Sequence, residues 1–276
     1  MSLKINTGSG FFNYSLQQSH QDLSKSLQRL STGKKINSAS DDAAGMVIAN
    51  KLSSQASGMG QAIKNANDAI SISQVADGAL GQATQLVQNI REKAIQAASA
   101  AQSPSSLKAI QAEINQSLTA LKNISSQTSF NGQQLLSGQF TNKEFQIGAD
   151  SGQTIAISLG SVDPSQISNE AQGSLANIDV TTMEGAQAAI EVADTALDYI
   201  SQQRSQVGST MNRLESTINN LSNSRINTLS AESEIRDLDF AEESINLNRI
   251  KLLSRARAFA QAQSGEVNKQ IVDLFE

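Results

Sequence analysis

Histidine and carboxylate side chains are the groups in this sequence that could ligate a metal or transfer protons. The chain has a single histidine, His20, which excludes a zinc site built on two histidines, such as His-Glu-x-x-His. Four carboxylates, Asp237, Asp239, Glu242 and Glu243, lie close together near the C-terminus. No histidine accompanies them and the glycine pattern of a calcium loop is missing. We therefore interpret them as solvated charges in the first turn of a helix.

A phosphate-binding loop is the second chemistry to consider, at Gly33 and Lys34. That motif needs a glycine where the chain has Gln28 and a serine or threonine where it has Lys35. Both are missing, and no segment resembles a nucleophile elbow or a dinucleotide-binding loop. The sequence therefore predicts no catalytic residue, no metal ligand and no cofactor, and we do not expect an enzyme.

The composition favours helices packed side by side. Of the 276 residues, 38% are hydrophobic and 4% aromatic, and cysteine and tryptophan are absent. The net charge of -5 argues against nucleic-acid binding, which needs a basic surface. No apolar run is long enough to span a membrane. The N-terminal residues lack the apolar core of a cleaved signal peptide, so we expect any export to use another route.

A heptad pattern near the C-terminus predicts the longest helix, from about residue 183 to residue 230. Apolar residues alternate there in steps of three and four, with one skipped position at Arg204 and no proline. The members of this stripe are Ile190, Ala193, Leu197, Ile200, Val207, Met211, Leu214, Ile218 and Leu221. A narrow apolar stripe of this length needs a partner helix to cover it. The helix would be roughly 70 Å long at about 1.5 Å per residue.

Both ends of the chain carry shorter heptad patterns. The N-terminal stripe consists of Leu16, His20, Leu23, Leu27 and Leu30, and Gly33 is expected to end its helix. A last helix is expected to open near Ile235, with apolar positions that include Leu238, Ile245, Leu252 and Phe259. Amphipathic helices without a covering partner are marginal in water. We hypothesise that residues up to about 42 and beyond about 234 fold only when other copies of the chain cover them.

Between the ends, we expect two more helices and one β region. An Ala-rich stripe over about residues 59–101 predicts a helix that packs antiparallel to the 183–230 helix, and Ser40 is expected to cap the helix restart before it. A shorter helix should follow Pro104, and strand-period segments at about 130–180 predict a β-hairpin patch. The fold class is therefore mainly α: a long antiparallel helical bundle or coiled-coil rod with a small β-hairpin patch, plus terminal helices that pair as a coiled coil. Residues 1–42 with 235–276 would form a terminal core domain, and 43–234 a helical rod domain.

Six segments closely resemble bacterial flagellins. In the first half they are LQRLSTGKKINSASDDAAG at 27–45, NANDAISI at 65–72 and ADGAL at 76–80. In the second half they are NRL at 212–214, NNL at 219–221 and IRDLD at 235–239. The likeness covers roughly residues 1–135 and 180–276. Only about fifty residues separate the helical halves, so the chain resembles a minimal flagellin without outer variable domains.

The resemblance implies a structural subunit that self-assembles into the helical bacterial flagellar filament used for swimming. In flagellins the terminal helices pair in the inner core of the filament. This implies a self-assembly seam in which Leu16, Leu23, Leu27 and Leu30 meet Leu238, Ile245, Leu252 and Phe259. The implied partners are further copies of the chain, the flagellar type III export apparatus, a secretion chaperone at the C-terminal region, and filament cap and junction proteins. The implied location is the extracellular flagellum, and neither nucleic acid nor a membrane is an expected partner.

One segment of the resemblance departs from the family pattern. Many flagellins carry a Gln-Arg-Ile/Val-Arg-Glu-Leu run that the Toll-like flagellin receptor binds. The corresponding receptor or subunit-contact residues here are Gln88, Asn89, Arg91, Glu92, Lys93 and, further along the chain, Glu113. Asn89 cannot supply the planar donor fork of an arginine, and Lys93 replaces an apolar contact. We expect weakened receptor activation, with subunit contact as the main role of this surface.

Two other functions stay open at the level of the sequence. A hook–filament junction protein of the same superfamily would share the helical ends but form short rings instead of long polymers. A cytosolic coiled-coil scaffold would stay inside the cell.

Overall fold

The computed structural model describes residues 7–169 and 172–273. Five helices account for most of this length: α1 (Thr7–Thr32), α2 (Ala43–Ala97), α3 (Pro104–Gln127), α4 (Met183–Arg236) and α5 (Phe240–Asp273). The mainly α prediction is confirmed, and α4 begins at the predicted residue and runs past residue 230. No described helix is both long and apolar enough to cross a membrane. Residues 1–6, which contributed to the signal-peptide argument, lie outside the described ranges.

The helix ends follow from local hydrogen bonding. Gly33 has a φ of 67° and its N–H donates to the carbonyl of Arg29 at 2.8 Å, which ends α1 as predicted. At the start of α2, the Asp42 carboxylate accepts the Gly45 N–H at 2.9 Å. The predicted cap at Ser40 is therefore wrong, because the first turn of α2 is capped by a carboxylate two residues later.

The chain divides into two compact units, residues 1–55 with 226–276 and residues 56–225. We call these the terminal unit and the central unit. The divisions fall within α2 and α4. The predicted domain boundaries lie instead at the start of α2 and two residues before the end of α4. Because helices run through the divisions, breaks in the helical pattern do not mark them.

Alanine-rich helices build the core of the central unit. Two ion pairs join α2 to α4: Asp77 with Arg204 at 2.9 Å, and Arg91 with Asp194. The residue with the higher number on α2 therefore contacts the residue with the lower number on α4. This confirms the antiparallel packing. The largest fully buried side chains of these helices and of α3 include Leu80, Ile90, Ile114, Leu121, Ile200 and Leu214. Alanines on α2, such as Ala76 and Ala83, are also fully buried, which lets neighbouring helices approach closely.

Three small antiparallel strand pairs make up the β region. They are β1 (Ser129–Phe130) with β2 (Gln133–Gln134), β3 (Lys143–Gln146) with β4 (Thr154–Ile157), and β5 (Ser168–Asn169) with β6 (Gly173–Ser174). In β4 the side chains of Ile155 and Ile157 are buried while those of Thr154 and Ala156 are exposed, the alternation expected of a half-buried strand. The predicted β patch is thus confirmed, as three separate pairs.

In the terminal unit, the linker after α1 pairs with the junction between α4 and α5. The Lys35 N–H donates to the carbonyl of Arg236 at 2.7 Å, and the Leu238 N–H donates to the carbonyl of Gly33 at 3.0 Å. Lys34 and Asp237 form an antiparallel bridge between these bonds. The end of α1 and the start of α5 are therefore held side by side, which positions the two terminal helices for antiparallel contact.

Candidate assembly interface

The surfaces through which α1 and α5 contact each other are rich in polar side chains. Glu243 is 7% exposed and Ser26 is buried. The Ser26 hydroxyl donates to the Glu243 carboxylate, which also accepts from the Asn246 amide at 3.2 Å. The guanidinium of Arg29 lies 3.8 Å from the same carboxylate. The prediction that this carboxylate is a solvated helix-start charge is wrong for Glu243, because its hydrogen bonds compensate its burial.

The same polar character continues along the helix pair. The Arg257 guanidinium donates to the Ser19 hydroxyl and, at 3.2 Å, to the carbonyl of Ser15. Further along, the Gln261 amide donates to the Asn13 side chain at 2.6 Å. The residue numbers decrease along α1 from Ser26 to Asn13, while those of their hydrogen-bond partners increase along α5 from Glu243 to Gln261. The predicted pairing of the terminal helices is therefore present, and it is antiparallel.

Many of the large apolar side chains of the terminal unit are exposed. Leu27 is 48% exposed and Phe259 is 73% exposed. Among the side chains of this unit that the structure describes, the exposed large hydrophobic ones are Tyr14, Leu27, Val47, Ile48, Ile226, Leu229, Phe240, Ile245, Leu252, Leu253, Phe259 and Val267. Among the described residues, the central unit exposes three such side chains: Val75, Ile95 and Met183. Single exposed hydrophobics are ordinary, but a concentration of them marks an interaction surface.

The predicted self-assembly residues therefore divide into two groups. Leu16, Leu23, Leu30 and Leu238 are half-buried, while Leu27, Ile245, Leu252 and Phe259 are exposed. Within one chain, the expected meeting of all eight does not occur. The stripe of α1 that contacts α5 contains Ser19 and Ser26 at the positions expected for His20 and Leu27, and both of the latter are exposed.

Sequence reasoning missed these serines because it followed apolar residues alone. Ser19 and Ser26 are one heptad apart and alternate with Leu16, Leu23 and Leu30 in steps of three and four. A stripe with that spacing can be buried when its hydroxyls find partners, here Arg257 and Glu243. The regular spacing of the serines was the signal that could have identified them.

One carboxylate holds the linker between α1 and α2. Asp41 accepts the backbone N–H groups of Asn37 at 3.2 Å and Ser38 at 3.1 Å, and it lies 2.6 Å from the Lys25 ammonium. Only 9% of its side chain is exposed. The hydrogen bond from Lys25 lowers the pKa of Asp41 well below its ordinary value, and the two backbone bonds add to this against the effect of burial.

At the predicted receptor or subunit-contact surface, three of the six residues form ion pairs within the chain. Arg91 forms an ion pair with Asp194 of α4. Lys93 forms one with Glu113 of α3, so two predicted residues contact each other. Gln88, Asn89 and Glu92 are exposed on α2. The replacement of an apolar residue by Lys93 thus adds a bond between α2 and α3.

The chain is mainly helical, and its terminal helices α1 and α5 contact each other through polar side chains while exposing large apolar ones. These are features of a structural protein that assembles with further copies of itself. Comparison with known proteins agrees. The profile of the bacterial flagellin N-terminal helical region matches residues 10–141, and that of the C-terminal helical region matches residues 190–275. The chain belongs to the bacterial flagellin family, the structural proteins of the flagellar filament.

Individual relatives match over nearly their whole length. The flagellin of Halalkalibacterium halodurans is 37% identical over 250 residues, which cover 91% of this chain and 90% of the relative. The flagellin of Bacillus subtilis is 35% identical, with 91% of each chain covered. A putative flagellar hook-associated protein from Vibrio parahaemolyticus has a similar fold, with a TM-score of 0.62, 13% identity, and coverage of 71% of this chain and all of the other.

The Asp41 contacts predict an acid-sensitive linker in the polymerised protein. Because the folded pKa of Asp41 is lowered, its contribution to stability is present above the pKa of an unfolded aspartate, about 3.9. It is lost as the pH falls through the folded pKa. Asp41→Asn should remove amide-exchange protection at Asn37 and Ser38 already at neutral pH. Asp68→Asn, which changes an exposed carboxylate of α2, is the control, and unchanged protection in Asp41→Asn would contradict the assignment.

Proposed function

We propose that this chain builds the flagellar filament by burying the outward apolar residues of its terminal helices against other copies of itself. The observation that supports this most directly is the distribution of side chains in the terminal unit. Among the described side chains of α1 and α5, the buried ones are Ser19, Ser26 and Glu243, while large apolar residues such as Phe259 are exposed. A helix pair intended to be complete by itself would place its large apolar side chains inside. A second copy of the same chain is the occupant that the family membership favours.

The apolar area that is available is large enough for stable association. Burial of one large apolar side chain contributes about 1.5–3 kcal/mol. On α5 the exposed members are Phe240, Ile245, Leu252, Leu253, Phe259 and Val267. Together they could contribute on the order of 10 kcal/mol before the entropy lost on association is subtracted. Contacts between different surfaces of successive copies produce a helical filament when the rotation between copies does not close a ring, and a filament is the product that we propose.

Folding of the terminal helices is coupled to this assembly in our proposal. The contact between α1 and α5 relies on hydrogen bonds such as Ser26 to Glu243, and an intramolecular hydrogen bond contributes only about 0.5–1.5 kcal/mol net. Ordering the backbone of each residue opposes folding by about 1–2 kcal/mol. The pair is therefore marginal until neighbouring copies cover its outer surface.

The remaining partners follow from the proposed role. A filament outside the cell requires passage through the flagellar type III export apparatus, and the exposed apolar side chains of α5 suit a secretion chaperone that binds the C-terminal region before export. Cap and junction proteins would contact the two ends of the filament. The role is structural and assigns no catalytic group to the chain.

A junction protein between hook and filament is the rival assignment. It would use the same terminal helices but stop at short rings, so electron microscopy of purified protein added to filament seeds distinguishes the two. Long polymers are the expected result. A cytosolic scaffold would be absent from the culture medium, where the proposed subunit should be found.

Leu27→Asp should abolish polymerisation and leave the central unit folded. Leu27 is exposed on α1, so a charge there costs little in the free chain but is costly once another copy covers it. Sedimentation of seeded polymer measures assembly, and circular dichroism measures the helix content. Gln28→Asp places the same charge on the exposed neighbouring residue and is the matched control. Normal filaments from Leu27→Asp would show that Leu27 is not part of the assembly surface.

Amide exchange in dilute monomer tests the coupling of folding to assembly. We expect rapid exchange over residues up to about 42 and beyond about 234, and slow exchange in the core around Ile114 and Leu214. In polymer, both ends should become protected. Strong protection of both ends in monomer would refute the coupling while leaving polymerisation itself in place.

Asn89→Arg should raise activation of the Toll-like flagellin receptor. The exchange restores a planar donor fork next to Ile90 and Arg91, in the run where many flagellins carry arginine. The dose response of receptor-bearing reporter cells gives the measurement. Gln96→Arg adds the same charge at an exposed position of α2 outside the run and serves as the control. An equal response to both variants would rule out a specific role for position 89.

A further inference from the structure

The turn between β1 and β2 consists of the dipeptide Asn131–Gly132. Both residues have positive φ angles, 48° and 77°, and Phe130 pairs with Gln133 across the hairpin. Two-residue hairpin turns of this kind need positive φ at both positions, and asparagine followed by glycine satisfies this with little strain. The turn therefore places an asparagine directly before a glycine.

The two groups that could react in this turn are not engaged elsewhere. The Asn131 side chain is exposed, and its amide forms no hydrogen bond within residues 7–169 and 172–273. The Gly132 N–H likewise donates to no backbone carbonyl in those ranges. Apart from the adjacent residues 131 and 133, no residue has a heavy atom within 4 Å of the position that a Cβ on Gly132 would take. Water and hydroxide can therefore reach both groups.

We propose that Asn131–Gly132 is a site of spontaneous covalent modification, in which the asparagine deamidates through a cyclic imide. The Gly132 backbone nitrogen loses its proton to hydroxide and attacks the side-chain amide carbon of Asn131. A new carbon–nitrogen bond forms, the bond to the side-chain nitrogen breaks, and ammonia leaves. Water then opens the five-membered ring at either carbonyl. The products are aspartate and isoaspartate, and the net change is the exchange of ammonia for water.

Two other asparagines in this chain provide an internal comparison. Asn37 precedes Ser38, but its amide donates to the carbonyl of Lys34 at 2.8 Å and the Ser38 N–H donates to Asp41 at 3.1 Å. Asn223 precedes Ser224 in the interior of α4, where helical hydrogen bonding holds the backbone. At both sites the attacking nitrogen is occupied and the following residue carries a Cβ. The local structure thus favours the reaction at position 131 over positions 37 and 223.

The isoaspartate product changes the structure beyond the turn. It adds one carbon atom to the main chain, which a two-residue turn cannot absorb while it keeps the register of β1 and β2. Immediately after β2, Leu135 and Leu136 are fully buried. The Leu135 N–H donates to the carbonyl of Thr128 at 3.0 Å, and the Leu136 carbonyl accepts from the Ser125 hydroxyl at 2.8 Å. Modification therefore loosens the attachment of this segment to the end of α3.

Ageing of the full-length protein in its polymerised form, in mildly alkaline buffer, tests the proposal. Polymer is used because Asn37 lies in a terminal segment that we propose to be folded only there. Peptide mass mapping should show a gain of about 1 Da at the peptide that contains residue 131. Isoaspartate should be detectable in the same peptide, and the rate should increase with pH. The peptides that contain Asn37 and Asn223 should stay unchanged over the same period.

Asn131→Gly is the matched control, because glycine keeps the turn and removes the amide that is lost. This variant should show no mass gain in the corresponding peptide. The same measurement on the chain in denaturant gives the rate of deamidation at Asn131 in the absence of folded structure. If the denatured chain converts while position 131 of the folded chain stays intact, or if the three asparagines of the folded chain convert at equal rates, the proposal is overturned.

Discussion

The antiparallel contact between α1 and α5 is the interaction on which the behaviour of this chain depends. Its buried groups are polar, and each of the best-buried ones, such as Ser26 and Glu243, has a hydrogen-bond partner across the helix pair. Hydrogen-bonded polar contacts specify register and direction but contribute little net stability. Since many large apolar side chains of the terminal unit are exposed, we propose that its own contacts align the unit and that neighbouring copies stabilise it.

The central unit differs from the terminal unit in that its buried side chains are mainly apolar. Its large apolar residues, among them Leu80, Ile114 and Leu214, are fully buried, and alanines on α2 allow the helices to pack closely. The strand pairs contribute Ile155 and Ile157 to the same core. Burial of this kind needs no second copy. The chain thus combines a self-sufficient core with ends that present an association surface, a combination well suited to a polymer subunit.

In the predicted receptor surface, we expect Lys93 to affect both the stability of the chain and the recognition of a partner. Lys93 stands where the resemblance places an apolar residue, and it forms an ion pair with Glu113. An ion pair with this degree of exposure contributes only about 0–1 kcal/mol. Its effect on recognition can be larger, because it engages two residues that a partner would otherwise contact. Arg91 is engaged in the same way by Asp194.

The sequence alone determined the number of long helices, which follows from heptad spacing, the glycine at 33 and the prolines, and it determined the family. It placed the start of α2 at about residue 59, whereas one continuous helix begins at Ala43. It also predicted the antiparallel contact between α2 and α4, since an apolar stripe of that length needs a partner. Only the tertiary structure decided which stripe of α1 faces α5. Apolar periodicity selected Leu27, whereas the buried position belongs to Ser26. A serine is buried in preference to a leucine only when a partner such as Glu243 lies opposite, and that partner is 217 residues away in the chain.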